Sequence, residues 1–181
     1  MHRNQLVDLL HDYRSRYPNE GETVDGFLEF VEGHDRCFER DLWVGHVTGS
    51  AWLVNTAGTH VLLTHHRKLG RWLQLGGHSD GDPDTLAVAI REAEEESGLC
   101  VEPVTDRIFD LDIHEIPARR SDPAHYHYDV RFALKSVGSD GFSVSDESLD
   151  LAWVSIRDLA RYTREWSVLR MAEKWRTGPA R

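Results

Sequence analysis

A glycine-rich loop that runs straight into a carboxylate-crowded helix restricts this chain more than any other feature. Gly76-Gly77-His78-Ser79-Asp80-Gly81-Asp82-Pro83 leads into Asp84–Gly98, where Glu92, Glu94, Glu95 and Glu96 fill four of five consecutive positions. Glu92, Glu95 and Glu96 fall at i, i+3 and i+4, so a helix sets all three carboxylates on one face. Like charges at that spacing repel by a few tenths of a kcal/mol per pair, on the order of what an ion pair there gains. A divalent cation reverses the sign, because hard oxygen ligands suit Mg²⁺ and Mn²⁺. Glu94 points about a hundred degrees away from Glu95 and is expected in solvent. Leu86, Ala89, Ile90 and Ala93 form the expected buried stripe. Asp82 is the expected N-cap, Pro83 the first helical residue and Gly98 the residue that stops the helix. A solvated acidic helix would account for the glutamates but not for the flanking glycines or the embedded Arg91.

The stretch from Gly77 to Leu99 resembles the Nudix box, G-x5-E-x7-R-E-U-x-E-E-x-G-U with U aliphatic. Gly77, Arg91, Glu92, Ala93, Glu95, Glu96, Gly98 and Leu99 stand in register, and Pro83 replaces the first box glutamate. Gly70-Arg71-Trp72-Leu73-Gln74-Leu75-Gly76 enters the box in the manner of the family. The resemblance extends over about residues 48 to 160. It implies an α/β/α sandwich around a mixed β-sheet over residues 46–181; residues 1–45 lie outside the resemblance and are expected to form an N-terminal helical arm. It also implies a metal-dependent pyrophosphohydrolase. Such an enzyme cleaves a diphosphate linkage in a small nucleoside diphosphate joined to another group, such as ADP-ribose or a nucleotide sugar. The alternative it leaves open is a catalytically silent Nudix domain that binds a nucleotide ligand as a sensor.

By position in the motif, Glu92, Glu95 and Glu96 are the implied ligands of Mg²⁺ or Mn²⁺, with Glu95 and Glu96 at the catalytic centre. Gly77, Arg91 and Gly98 are implied to be structural. Glu147, in the polar loop before Trp153, is the implied general base, with Asp146 as its neighbour. Asp82 or Asp84 can stand in for the glutamate that Pro83 replaces. Isopentenyl diphosphate isomerase shares the fold, but the place of its Cys-Gly-His turn reads Gly76-Gly77-His78, so isomerase chemistry is not expected.

Eleven histidines among 181 residues are the second unusual feature. His125, His127 and Asp129 alternate, so a strand puts them on one face, where they can hold a transition metal or contact phosphate. His78 and His114 are placed to join them. Arg71, His78, His125, His127 and Arg131 are the candidate substrate-binding residues, with Arg67, Lys68, Arg119 and Arg120 as further cations able to meet phosphate. The formal charge of −10 disfavours nucleic acid or an anionic membrane as partner and leaves a small nucleotide as the expected one.

Cys37 and Cys100 make no disulfide framework and have no metal-ligand spacing. No apolar run is long enough to span a membrane, and the start does not read as a signal peptide, so the cytoplasm is the expected compartment. Leu6, Leu9, Leu10 and Tyr13 predict a first helix, and Phe27, Phe30 and Val31 a second after Thr23-Val24-Asp25. This arm is expected either to pack on the core or to serve a homodimer contact. Strands are expected at 48–54, 60–64, 101–114, 124–134 and 151–154, with short helices at 156–162 and 166–175.

Overall fold

The computed structural model describes residues 3–67, 70–119, 122–143 and 148–178. Two helices open the chain, α1 (Asn4–Arg16) and α2 (Gly21–Gly33), followed by β1 (Gly45–Val54), β2 (His60–His66), β3 (Arg71–Leu73) and β4 (Leu75–His78). The box helix α3 (Thr85–Ser97) comes next, then β5 (Val101–Pro103), β6 (Asp110–Ile116), β7 (His125–Ser136), β8 (Ser148–Ser155) and α4 (Trp166–Thr177). The strands form one mixed sheet in the order β3-β2-β1-β7-β5, with β4 on β1, β6 on β7 and β8 on β2. Helices cover the sheet, which is the α/β arrangement expected from the sequence.

The sheet is organised by β1, which is buried along its whole length. It runs parallel to β7 from Gly45↔Tyr126 to Val54↔Lys135. Its side chains alternate between two cores. Val47, Ala51 and Leu53 join α1, α2 and α3 in one cluster, with Leu6, Leu10, Phe27, Ala89 and Ala93. Trp52 and Val54 join α4 in the other, with Val168, Met171 and Trp175. His46, Thr48 and Ser50 share the alternation phase of Trp52 and Val54, so the strand carries a polar row that continues into an apolar one. The N-terminal arm is packed into the first core through Leu6, Leu10, Tyr13, Val24, Phe27, Phe30 and Val31.

Local chemistry explains the boundaries. The β1–β2 turn closes on Asn55, whose Oδ1 accepts from the Thr59 and His60 amides at 2.9 and 3.0 Å, while Gly58 takes a left-handed φ of 66°. Gly98 ends α3 at φ 69°, its amide donating to the Glu94 carbonyl at 2.8 Å.

The start of α3 differs from expectation. Asp84, not Asp82, is the N-cap, its Oδ1 accepting from the Ala87 amide at 3.0 Å. Asp82 instead accepts from the Asp84 amide at 3.0 Å, which leaves Pro83 in a turn before the helix. The buried stripe also shifts. Val88 is fully buried against Gly49, where a side chain would strike Val88 and the Thr85 carbonyl, while Leu86 and Ile90 are half-buried.

The single strand expected over 101–114 is two. β5 pairs with the end of β7 and β6 with its first half, and residues 104–109 bulge out between Pro103↔Leu134 and Asp110↔Arg131. α2 begins at Gly21, ahead of the expected start after Asp25 and directly after a 3-10 turn at Pro18–Glu20.

Candidate active site and histidine cluster

A cleft of about 540 Å³ opens over the polar row of β1. Thr48 and Ser50 of β1 and His127 and Asp129 of β7 line one side, Gly76, Gly77, His78 and Ser79 of the box loop another. Glu92 and Glu95 reach it from α3, and Arg40 from the connection between α2 and β1.

The loop and the box helix are tied together by their own polar groups. Glu96 is buried, and its Oε1 accepts from the Gly76 amide at 2.8 Å. Arg91 donates to the His78 carbonyl at 3.0 Å and to Glu92 Oε1 at 3.1 Å, so one guanidinium fastens loop to helix and steadies a carboxylate. A Cβ at Gly77 would run into the Glu92 carboxylate, the far end of a flexible side chain. Gly76, at φ 153°, lies equally close to Ser50. Glu95 is exposed in the cleft, and Glu94 is exposed as expected. Glu92 and Glu95 line the cleft with Glu96 buried beside them, oxygen donors of the kind that suits a hard divalent cation.

Pro83 is half-buried in the loop and offers no carboxylate. Asp84 is committed to capping α3, whereas Asp82 lines the cleft 4.0 Å from Arg91. Of the two stand-ins considered for the missing glutamate, Asp82 is the one that reaches the cleft.

Beside the carboxylates lies a cluster of imidazoles. The parallel β1–β7 ladder puts His46 directly opposite His127. The ring centroids of His46 stand 4.8 Å from His127, 4.9 Å from His125 and 5.1 Å from His78. Among the described residues, Nε2 of His127 has no hydrogen-bond partner, and neither ring nitrogen of the buried His46 makes a well-formed one, although the Leu42 carbonyl acts on that ring. Burial, reinforced by the neighbouring histidines, pushes His46 down to about 4 and His127 to about 2, so both rings are neutral at pH 7.

Asp129, expected to act with His125 and His127, is turned to other work. It accepts from Thr48, Ser50, Gln74 and Arg131 at 2.9, 2.7, 3.2 and 2.7 Å. Its oxygens are saturated by donors from β1, β4's approach and β7.

The sequence between residues 45 and 174 matches the family model described as the NUDIX domain. The chain belongs to the Nudix family. Its chemistry is therefore that of a hydrolase acting on pyrophosphate bonds. Among solved structures, a NUDIX-family hydrolase from Clostridium perfringens is 26% identical, with a TM-score of 0.55 over 72% of this chain and 96% of that one. The dihydroneopterin triphosphate pyrophosphohydrolase of E. coli is 17% identical, with a TM-score of 0.54 over 71% and 92%. A C. elegans Ap4A hydrolase is 18% identical, with a TM-score of 0.51 over 72% and 94%. No curated protein sequence matches.

Within this Nudix chain, two arginines proposed for substrate lie elsewhere. Arg131 is fully buried beneath the cleft, paired with Asp110, Asp112 and Asp129 at 3.1, 3.2 and 2.7 Å. Its guanidinium, expected from the sequence to meet substrate, is here engaged by three carboxylates. Arg71 is exposed and paired with Glu165 at 3.0 Å, outside the cleft lining. His78 and His127 do line the cleft, with His125 packed behind them. Glu147, Asp146, Lys68 and Arg120 lie outside the described residues. No described helix is long and apolar enough to cross a membrane.

Sequence reasoning missed His46 and Arg40. His46 carried a signal, since His46, Thr48 and Ser50 alternate as a polar row within a strand that is otherwise apolar. Arg40 carried none, because only the path of the connection brings it over the loop, where it pairs with Asp80 through Nη2 at 2.9 Å.

Proposed function

We propose that this Nudix protein is a divalent-metal-dependent pyrophosphohydrolase of small nucleoside diphosphate derivatives. The observation that carries the reading is the joint between loop and helix. Glu96 holds the Gly76 amide, Glu92 fills the space left by Gly77, and Glu95 faces the same cleft. Glu92, Glu95 and Glu96 would hold Mg²⁺ or Mn²⁺. When bound, the cation supplies charge neutralisation for the diphosphate and an activated water.

The chain's own groups supply the rest. Arg91 keeps the box carboxylates and the loop in one arrangement, which fixes the reacting geometry before substrate arrives. His78 and His127 face the cleft as neutral or donor groups for phosphate oxygens, and Arg40 stands at its mouth. Glu147 is the proposed general base. The names of two neighbours of this fold, an Ap4A hydrolase and a dihydroneopterin triphosphate pyrophosphohydrolase, fit a phosphoanhydride substrate.

Pro83 favours one other reading, a silent domain that senses a nucleotide, because it removes one carboxylate from the box. Phosphatase-coupled turnover of a nucleoside diphosphate-X panel with Mg²⁺ or Mn²⁺, run beside Glu95→Gln, separates the two. Turnover of one member that is lost in the variant supports the hydrolase and names its substrate class. Silence across the panel, with thermal stabilisation by a nucleotide, establishes the sensor.

A further inference from the structure

We propose that His46, His125 and His127 form a tris-imidazole site for a borderline transition metal, zinc foremost, beside the cleft and separate from the carboxylates of the box. Among the described residues these three side chains bring their ligand atoms within 4.8 Å of one another. A tetrahedral zinc with nitrogen ligands needs them about 3.3 Å apart, from the usual metal–nitrogen distance. Side-chain rotation is enough to close that gap, because the backbone is already in place. His46 and His127 are fixed opposite each other by the β1–β7 ladder, and His125 is two residues before His127 on the same face of β7.

The orphaned nitrogens make the case for a ligand. His46 is 1% exposed, yet among the described residues neither of its ring nitrogens makes a well-formed hydrogen bond, although the Leu42 carbonyl acts on the ring, and Nε2 of His127 has no partner at all. Buried polar atoms are almost always satisfied, so a pair of such rings facing a third imidazole calls for an electron-pair acceptor between them. The third ring is already oriented for the task. His125 Nδ1 lies 2.8 Å from the Pro123 carbonyl, which fixes the proton on Nδ1 and leaves the Nε2 lone pair for a metal.

The donor chemistry selects the ion. Asp129, the nearest carboxylate in the sequence pattern, has its oxygens occupied by Thr48, Ser50, Gln74 and Arg131. The remaining all-nitrogen set suits zinc, cobalt or nickel and disfavours magnesium. His127 also lines the cleft, as does His78, whose ring lies 5.3 Å from that of His127. The fourth coordination position therefore faces the cleft, where His78 or an anionic group of a bound ligand completes the shell.

The test is zinc binding to the metal-stripped full chain, by competition with a chromogenic chelator, together with the visible spectrum of the Co²⁺-loaded protein. One zinc per chain at submicromolar affinity, and the intense bands of four-coordinate Co²⁺, are expected. His127→Gln and His125→Gln each weaken zinc by more than about a hundredfold, whereas Glu95→Gln leaves it unchanged. Zinc no tighter than micromolar, a weak six-coordinate Co²⁺ spectrum, or equal loss in Glu95→Gln would overturn the site. The Co²⁺ spectrum needs no substitution, so a variant that fails to fold leaves the question decided. The measurement uses no substrate, and its outcome is independent of whether a diphosphate is hydrolysed.

Discussion

The Gly76 amide donates to Glu96 Oε1 at 2.8 Å, so a carboxylate of the box helix holds the strand that enters the box. This single bond gives Glu96 two separable duties, one in the fold and one in the proposed metal site. Glu96→Gln keeps an amide oxygen that can still accept from Gly76 but removes the charge. Its melting temperature should stay near that of the unaltered chain, while Mg²⁺-dependent turnover drops by about a hundredfold or more. Glu96→Ala also strands the Gly76 amide, a destabilisation of about 1–3 kcal/mol. Denaturant melts beside turnover assays distinguish the two effects, and equal stability of both variants would refute the structural duty.

Adjacent glycines should respond differently to the same small change. A Cβ at Gly77 meets only the far end of the Glu92 side chain, which can swing aside. Gly77→Ala is therefore expected to fold, with the half-saturating Mg²⁺ concentration raised because the Glu92 carboxylate is displaced. At Gly76 a Cβ meets the Ser50 backbone as well as its side chain, at a φ of 153°. Gly76→Ala should lose about 2 kcal/mol or more of stability, read in a urea melt.

Arg131 sits at the centre of the buried charges. Its partners Asp110 and Asp112 are also held by Arg170, at 2.7 and 3.2 Å, and Lys174 reaches Asp110 at 2.7 Å. Removing Arg131 leaves the carboxylates of Asp110 and Asp129 buried away from water with one cation fewer. Arg131→Leu is expected to destabilise the fold by about 3–5 kcal/mol. Arg131→Lys should recover little of this, since one ammonium cannot replace a fork that meets three carboxylates. Full stability in the leucine variant would show that the network matters less than its burial implies.

Acid sensitivity follows from the same network. Burial alone would raise Asp112, but a hydrogen bond from His114 and the charges of Arg131 and Arg170 outweigh it and hold the carboxyl well below the usual range. A carboxylate lowered in the folded chain contributes stability above its unfolded value of about 4, and that contribution is lost as pH falls below it. Thermal melts across pH 7 to 3 should show a steep drop at the acid end. Asp112→Asn should flatten that limb while lowering stability at neutral pH, and an unchanged slope would remove Asp112 as its source.

The box was legible because its information is local. Helical periodicity alone places Glu92, Glu95 and Glu96 on one face, and the left-handed preference of Gly98 ends the helix where it was expected. The N-cap was misplaced by two residues, since two aspartates flank Pro83 and only the turn's hydrogen bonds decide which one caps. Alternation likewise set His125 and His127 on one face of β7. It could not say that Asp129 would be taken up by hydroxyls of β1 or that Arg131 would be enclosed by β6.

The sequence by itself determined the carboxylate face, its glycine-rich approach and the family those residues belong to, because each depends on neighbours within one or two helical turns. Only the tertiary structure decided that His46 meets His125 and His127, that Asp129 is spent on hydrogen bonds and that Arg131 is a buried counterion. Those outcomes rest on parallel pairing of β1 with β7 across about eighty residues. Such pairing is chosen by how two hydrophobic faces pack and where the crossover returns, and no local period in the chain encodes the partner.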